Sequence, residues 1–171
     1  KADEWLPLKP GTDGALALGI AHVLLSEGLW HKEFVGDFKN GKNQFKPGAT
    51  VKEDAFVETE TSGLVKWWNL VVKDMTPAKA AEISGVSADQ IYRVARGMGQ
   101  AAPHVAVWMG PGAAMQARGA YSGMAVHALG GLVGGIDNVG GSLQTAKIPV
   151  NKLNKDILEK HQDDMAKKHG K

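Results

Sequence analysis

The chain is organised around residues 5–25, which read WLPLKPGTDGALALGIAHVLL. Two prolines in residues 5–10 favour an extended backbone for the residues before them, and glycines then flank a short polar loop. Apolar residues follow at the spacing of one helix face: Leu16, Ile20, Val23 and Leu24. The stretch therefore predicts an extended run, a tight loop and a helix. A glycine-lined loop at a helix N-terminus offers backbone N–H groups and a positive dipole end, which suit a phosphate or another anion.

Asp13 in this loop has two interpretations. Thr12 or Asp13 can act as an N-cap that accepts from the first helical N–H groups. An ionised carboxylate also matches the guanine edge, because guanine presents two adjacent donors, N1–H and the 2-amino group. The local sequence favours the cap, but it does not decide between the two.

The composition is that of a globular α/β protein. The 171 residues suffice for one domain with a real core, and the 22 glycines are typical of tight α/β loops. The chain has no cysteine, which excludes disulfides, thiolate metal ligands and thiol catalysis within it. The formal charge is +2 without a concentrated basic stripe, so we expect no nucleic-acid partner.

The termini indicate a segment of a longer protein. The chain begins at Lys1 without a methionine and enters structured sequence almost at once. No stretch resembles a signal peptide, and the longest apolar run, residues 15–25, is too short to span a bilayer. We therefore expect no direct membrane insertion.

Residues 37–72 combine a polar excursion with an aromatic segment. The turn-rich, lysine-containing run 37–63 predicts a surface excursion that includes a short hairpin. In the apolar segment 64–72, Trp67 and Trp68 could form a stacking platform, but burial against the core is the commoner use of such residues.

Residues 76–96 predict two helices around a tight turn. Thr76 is placed to cap a helix with Pro77 at its first position, and Ser87 to cap the next, with Gln90 three residues later as in a capping box. The pattern also imitates a DNA-binding helix-turn-helix. Because only Arg93 and Arg96 are basic on the second helix, a structural pair is favoured, with Ile91 and Val94 buried and Arg93 exposed.

Residues 104–109, HVAVWM, are the clearest strand candidate, a nearly continuous apolar run such as a buried parallel strand has. A second glycine-rich loop, GPGAAMQARG, follows at 110–119. A helix comes next, with one apolar face: Met124, Ala125, Ala128, Leu129, Leu132 and Val133. Strand, loop and helix form the unit that places ligands at the carboxyl ends of strands. The spacing is not G-x-G-x-x-G, which argues against a nicotinamide cofactor.

We therefore predict an α/β fold, part of a doubly wound, mostly parallel sheet with flanking helices. The helix after Gly119 is expected to pack on that sheet, and residues 1–146 to form the ligand-binding region. Residues 147–171 are rich in lysine and poor in apolar residues, which predicts a surface extension or a truncated segment.

Taken together, these motifs resemble the catalytic subunits of the dimethyl sulfoxide reductase family of molybdopterin enzymes. The matching pieces are residues 5–16, the helix pair 76–96, and the run from 107 through 116 to 137–141. Within the family, WWNL at 67–70 and GIDNVGGSL at 135–143 look most like respiratory arsenate reductases. Tetrathionate, thiosulfate and polysulfide reductases are close neighbours.

The resemblance implies a cofactor site, molybdopterin guanine dinucleotide with molybdenum. Its guanosine end would be held by the loop Lys9, Pro10, Gly11, Thr12 and Asp13, with Asp13 reading guanine. Its pterin part would lie near Gly110, Gly112 and Gln116. The family commonly has a histidine after this glutamine, and Ala117 stands there instead, which puts that histidine's contact in doubt.

The resemblance also implies what this chain lacks. Family members carry the molybdenum ligand, and often iron–sulfur cysteines, upstream of the matching region, so we assign no catalytic or metal-ligating residue here. By this likeness the parent enzyme is expected to be periplasmic and to reduce an oxyanion, with arsenate favoured, and to have an electron-transfer iron–sulfur subunit as partner. Two other classes stay open: a nucleotide-binding module without catalysis and, least favoured, a helix-turn-helix regulator.

Overall fold

The structure is a computed structural model that describes residues 2–143. Residues 147–171, expected to form a surface extension, lie outside the described residues, as do 144–146. The helices and strands are α1 Asp13–Ser26, α2 Lys32–Val35, β1 Gly36–Phe38, β2 Phe56–Glu58, α3 Leu64–Leu70, α4 Pro77–Ser84, α5 Ala88–Ala101 and α6 Gly119–Leu132. No helix in this part of the chain combines the length and apolarity needed to cross a membrane.

Helix α1 is the centre of the core, as residues 5–25 predict. It packs against α4, α5 and α6, and a helix enclosed in this way is expected to be apolar around its whole circumference. Nine of its residues are buried: Leu16, Ala17, Gly19, Ile20, Ala21, His22, Val23, Leu24 and Leu25. Its N-terminal turn, which begins at Asp13, remains partly open to solvent, as do Leu18 and Ser26.

His22 is a core residue of α1 and is only 2% exposed. Its Nδ1 lies 2.8 Å from the carbonyl oxygen of Val72, so the ring donates from Nδ1. The imidazole also stacks on Trp68, with ring centroids 5.5 Å apart. Burial lowers the pKa of His22, which keeps it neutral at pH 7 and avoids an unpaired charge in the core.

The helix pair at 76–96 forms as predicted. The Thr76 hydroxyl accepts from the backbone N–H of Lys79, and the Ser87 hydroxyl from that of Gln90, each at 3.3 Å. Ile91 is fully buried and Val94 is half-buried against the core.

The basic residues of α5 do not form an open groove. Arg93 is exposed, as predicted, and its Nε donates to Glu4 at 2.8 Å; Arg96 donates to Glu27 at 2.8 and 2.7 Å. The hydrogen bond from Arg96 lowers the pKa of the Glu27 carboxyl. Because each guanidinium already faces a carboxylate, this surface does not offer the free positive charge that binding to DNA phosphates requires.

The polar excursion contains the predicted strand pair, β1 and β2, which is antiparallel. The expectation that the excursion lies on the surface is wrong for its aromatic side chains. These pack with two tryptophans in one buried cluster: Trp30, Phe38, Phe45, Phe56 and Trp68. Polar turns hide the pattern, because each of the three phenylalanines stands alone in the sequence. Burial of Trp68 confirms that the segment 64–72 docks on the core.

The prediction of a buried strand at 105–109 is wrong. The segment has no strand assignment, and Trp108 is 90% exposed. Val107 and Met109 pack along α6, where Gly130 and Gly123 leave room for them, but the opposite face is uncovered. A parallel strand needs partners on its edges, and residues 2–143 contain only β1 and β2 as named strands, plus one isolated bridge between Ile136 and Ser142. The described fold is therefore helical with one small sheet.

Helix α6 forms after the second glycine loop, as predicted, but it packs mainly on α1 rather than on a sheet. The predicted apolar face is right at Ala125, Leu129 and Leu132, which are buried, and wrong at Met124, which is 68% exposed.

We predict that Gly19→Ala will destabilise the chain. A Cβ at Gly19 would lie 2.5 Å from the Cβ of Ala80 on α4, so the α1–α4 contact would have to open, at a cost of about 1–3 kcal/mol. Gly97→Ala in α5 is the matched control, because its Cβ would have no neighbour within 4 Å. The Gly97→Ala variant should raise the free energy of unfolding by about 0.5–1 kcal/mol, because alanine is favoured over glycine inside a helix. Urea denaturation measures the free energy of unfolding of both variants. Equal changes in the two variants would contradict the close α1–α4 packing.

Candidate functional site: two loops at the start of α1

Two loops that are far apart in the sequence meet at the N-terminus of α1. The first loop is residues 9–14 and the second is residues 110–116. The side-chain amide of Gln116 donates from Nε2 to Oδ2 of Asp13 at 3.3 Å, across a separation of 103 residues. Both side chains are half-buried. The structure therefore brings together two of the residues predicted for the cofactor site.

The side chain of Asp13 is not an N-cap. Thr12 occupies the cap position of α1, and no side chain makes a capping hydrogen bond there. The Thr12 hydroxyl donates to the carbonyl oxygen of Lys9 at 2.5 Å instead. Asp13 is the first helical residue, and the hydrogen bond that its carboxylate accepts comes from Nε2 of Gln116. The local cap interpretation is therefore wrong, and the carboxylate is available to other donors.

Gly11 allows the two loops to approach. Its φ of +84° lies in the left-handed region that disfavours side chains. A Cβ at this position would lie 2.7 Å from Oε1 of Gln116. Gln116 is held from the other side as well, because its Nε2 donates to the carbonyl oxygen of Ala113 at 2.9 Å. A glycine is required here for both reasons.

An apolar cleft of about 230 Å³ opens beside Asp13. Its walls include Leu8, Leu16, Trp108 and Met109. Asp13 is the one charged side chain that lines it among the described residues. A single acceptor among apolar and aromatic surfaces can fix the orientation of a planar, polar ligand.

A larger cleft, about 370 Å³, lies between α3 and α6. Its lining includes Leu64, Trp67 and Met124 but no charged side chain, and none of the predicted site residues. We assign the site to the smaller cleft because recognition chemistry is concentrated there.

The other predicted site residues fall into two groups. Lys9 is tied to the end of α4: its N–H donates to the carbonyl oxygen of Ser84 at 2.8 Å, and its Nζ lies 3.4 Å from that of Glu82. Pro10, Gly110 and Gly112 are exposed, and a Cβ at either glycine would have no neighbour within 4 Å. The second loop is thus open on its outer side, where a ligand could approach its backbone.

Sequence reasoning missed Trp108 as part of the site, because the strand prediction placed it in a buried sheet. Its position directly before the second glycine loop was the available signal. Residues 2–143 contain no cluster of three or more histidine, aspartate or glutamate side chains that could hold a metal ion.

Comparisons with known proteins identify relatives of this chain. The chain is 54% identical over 167 residues to the arsenate respiratory reductase molybdopterin-containing subunit of Chrysiogenes arsenatis, and 54% over 152 residues to that of Shewanella sp. (strain ANA-3). These matches cover 98% and 89% of this chain but 19% and 18% of those proteins, so the chain spans about a fifth of their length. The thiosulfate reductase molybdopterin-containing subunit of Salmonella typhimurium is 31% identical over 90% of this chain and 17% of its own. No family model matches the chain.

A solved structure is similar in fold. Acetylene hydratase from Pelobacter acetylenicus matches with a TM-score of 0.59 and 28% identity, over 78% of this chain and 15% of that one.

We predict that Gly11→Ala will cost more stability than Gly41→Ala. Both positions have positive φ, so each alanine should cost about 1–2 kcal/mol. Only Gly11 faces another side chain, since a Cβ at Gly41 has no neighbour within 4 Å. In a Gln116→Ala background the excess cost at Gly11 should disappear. Urea denaturation of this set provides the measurement, and an excess that persisted without Gln116 would show that the contact is not its source.

Proposed function

Because this chain belongs to the dimethyl sulfoxide reductase family of molybdopterin-containing oxidoreductases, we propose that it binds the guanine end of a molybdopterin guanine dinucleotide within a larger enzyme. We further propose that the enzyme reduces arsenate to arsenite. The observation that carries the first proposal is the Asp13 carboxylate, which makes no capping bond to α1 and lies beside an apolar cleft and a glycine-rich loop.

Asp13 has the chemistry that guanine needs. Its carboxylate offers acceptors only, and N1–H and the 2-amino group of guanine are adjacent donors, so two parallel hydrogen bonds can form. The half-buried position strengthens these bonds relative to bulk water. The indole of Trp108, exposed in the same cleft, gives the flat base an aromatic surface to stack on.

The backbone of the first loop complements the phosphates or sugar. No side chain caps α1, so its first N–H groups are not used by a side chain of the protein. These groups and the positive end of the helix dipole favour an anion. The positions that a Cβ would take at Gly11 and Gly14 lie against Gln116 and Ser122, so these glycines let the loop pack closely on its neighbours.

The second loop would lie against the pterin part of the cofactor. Gly110 and Gly112 present exposed backbone without side chains. Ala117 cannot make the polar contact of the histidine common in the family, so the exposed backbone of this loop carries recognition here. We place the molybdenum ligand and the iron–sulfur cysteines in parts of the enzyme outside this chain.

When bound, the molybdenum cofactor supplies oxygen-atom transfer to the parent enzyme. For arsenate the balance is the loss of one oxygen atom, with two electrons and two protons forming water. This chain contributes binding and orientation of the cofactor. Electrons would arrive through an iron–sulfur partner subunit, and we place the enzyme in the periplasm.

The arsenate assignment is supported by the identity values. Two relatives named as arsenate respiratory reductases are 54% identical to this chain, whereas the thiosulfate reductase subunit and a dimethyl sulfoxide reductase of Escherichia coli are each 31% identical. Neither a separate nucleotide-binding module nor a DNA-binding regulator has a comparable observation in its favour.

In the intact enzyme we expect residues 1–146 to form part of the cofactor-binding region, within a doubly wound, mostly parallel sheet with flanking helices. Strands of that sheet would come from the rest of the polypeptide.

We predict that Asp13→Asn in the full-length enzyme will weaken cofactor binding by about tenfold or more and thereby lower cofactor occupancy. The amide nitrogen would face one of the guanine donors, and a hydrogen bond to a charged group is worth about 1.5–3 kcal/mol. Molybdenum and guanine content of the purified protein report the effect. Asp54→Asn is the control, because Asp54 is exposed and remote from the cleft lining. Full occupancy in Asp13→Asn would remove the guanine-reading role.

We predict that the full-length enzyme, supplied with a reduced dye, will show its largest kcat/KM with arsenate. Thiosulfate, tetrathionate and polysulfide are the comparison substrates. A larger kcat/KM for any of these substrates would overturn the arsenate assignment in favour of the neighbouring reductases, and the cofactor proposal would be unaffected.

A further inference from the structure

We propose that Gln116 is a positioning residue, which holds the Asp13 carboxylate in the orientation that reads guanine. This inference rests on the proposed cofactor function. It gives Gln116 a role through Asp13, beyond the contact with the pterin that the family resemblance implies.

The amide of Gln116 can face only one way. Its Nε2 group has two protons and two acceptors, Oδ2 of Asp13 at 3.3 Å and the carbonyl oxygen of Ala113 at 2.9 Å. Rotating the amide by half a turn would place Oε1 against two oxygen acceptors, which is unfavourable. Gly11 gives Oε1 the room that it needs on the opposite side. The donor is therefore directed at Asp13 by the chemistry of its surroundings.

This single hydrogen bond orients the carboxylate without using all of its acceptor sites. The last torsion of an aspartate side chain is broad, and no capping bond to α1 restrains Asp13. A carboxylate has about four acceptor sites, so one bond from Gln116 leaves enough for the two donors of guanine. Ordering the group before binding lowers the entropy that binding would otherwise cost.

A neutral donor suits this role better than a cation. Lysine or arginine at position 116 would pair with Asp13 and compete with guanine for it. Besides Asp13, the two loops carry one charged residue, Lys9, and Arg118 lies just beyond the second loop. The Nζ of Lys9 lies 3.4 Å from the carbonyl oxygen of Glu82. Neither has a hydrogen bond to Asp13 among the described contacts. The negative charge of Asp13 is thus kept for the ligand.

The competing explanation is that Gln116 only holds the two loops together. Gln90 provides a matched comparison, because its Nε2 also bridges a carboxylate and a backbone carbonyl. It donates to Oε2 of Glu4 and to the carbonyl oxygen of Trp5, each at 3.3 Å. Gln90 lies outside the cleft lining. Replacing it removes an amide bridge of the same kind without touching Asp13.

The test uses the full-length holoenzyme and a double-mutant cycle. Gln116→Met, which keeps the side-chain length but removes the donor, is combined with Asp13→Asn, and Gln90→Met is the control. The readouts are the rates at which molybdenum and guanine nucleotide are lost in dilute urea. We expect about fivefold to tenfold faster loss in Gln116→Met, no change in Gln90→Met, and no further acceleration when Gln116→Met is added to Asp13→Asn. Thermal unfolding of each variant checks that it is folded.

Gln116→Glu adds a readout that a purely structural role would not move. A carboxylate facing Asp13 repels it at pH 8, whereas at pH 5 one shared proton restores a donor between the two groups. Loss of the cofactor from this variant should therefore slow as the pH falls, relative to the wild type at each pH.

The outcomes separate the two levels of the proposal. If Asp13→Asn retains the cofactor like the wild type, the guanine-reading function fails, and this inference with it. If Asp13→Asn loses the cofactor but the effect of Gln116→Met is absent or simply adds to it, only the positioning role is overturned. A pH profile of Gln116→Glu parallel to that of the wild type would also overturn it.

Discussion

Helix α1 lies at the centre of the core, with nine residues buried and three other helices packed around it. Such a helix can move only if α4, α5 and α6 move with it. Close contacts tighten this arrangement, since Gly19 leaves no space for a methyl group against Ala80. The position of the N-terminal turn, and of Asp13 within it, is therefore set by packing along the whole helix. A loop on a rigid helix can present a carboxylate more accurately than a loop that is anchored only at the surface.

The site combines this helix with two loops, residues 9–14 and 110–116. The first loop is attached to α4 through Lys9, and the second loop is attached to the first through Gln116. The bond between Gln116 and Asp13 thus links the start of α1 with the segment that leads into α6. The same two helices are also in extensive contact along their length. Loop geometry and helix packing support each other, which is the condition for a preorganised binding site.

In the proposed function, this chain contributes recognition of the cofactor. Asp13 can identify a base by its donors, the start of α1 can receive an anion, and the apolar cleft with Trp108 can hold a flat ring. These are complementary requirements of one nucleotide. The chain spans about a fifth of its relatives' length, and in the proposed function it forms one wall of the cofactor site.

Local interactions explain what could be predicted from the sequence alone. The apolar run of α1, the caps Thr76 and Ser87, and the glycine loops depend on residues close in the chain, and all of them are found in the structure. The family resemblance likewise rests on motif order, which needs no coordinates. Asp13 and Gln116 could be named separately in this way as candidate site residues.

Long-range contacts decided the rest. An apolar run becomes a strand only when a neighbour pairs with its backbone, and residues 105–109 have no such neighbour within the described part of the chain. The aromatic cluster joins residues that the sequence separates by polar turns. Whether Asp13 caps its own helix or faces outward depends on where the Thr12 hydroxyl and the Gln116 amide lie. A sequence specifies which donors and acceptors a chain carries, and the tertiary structure determines which of them meet.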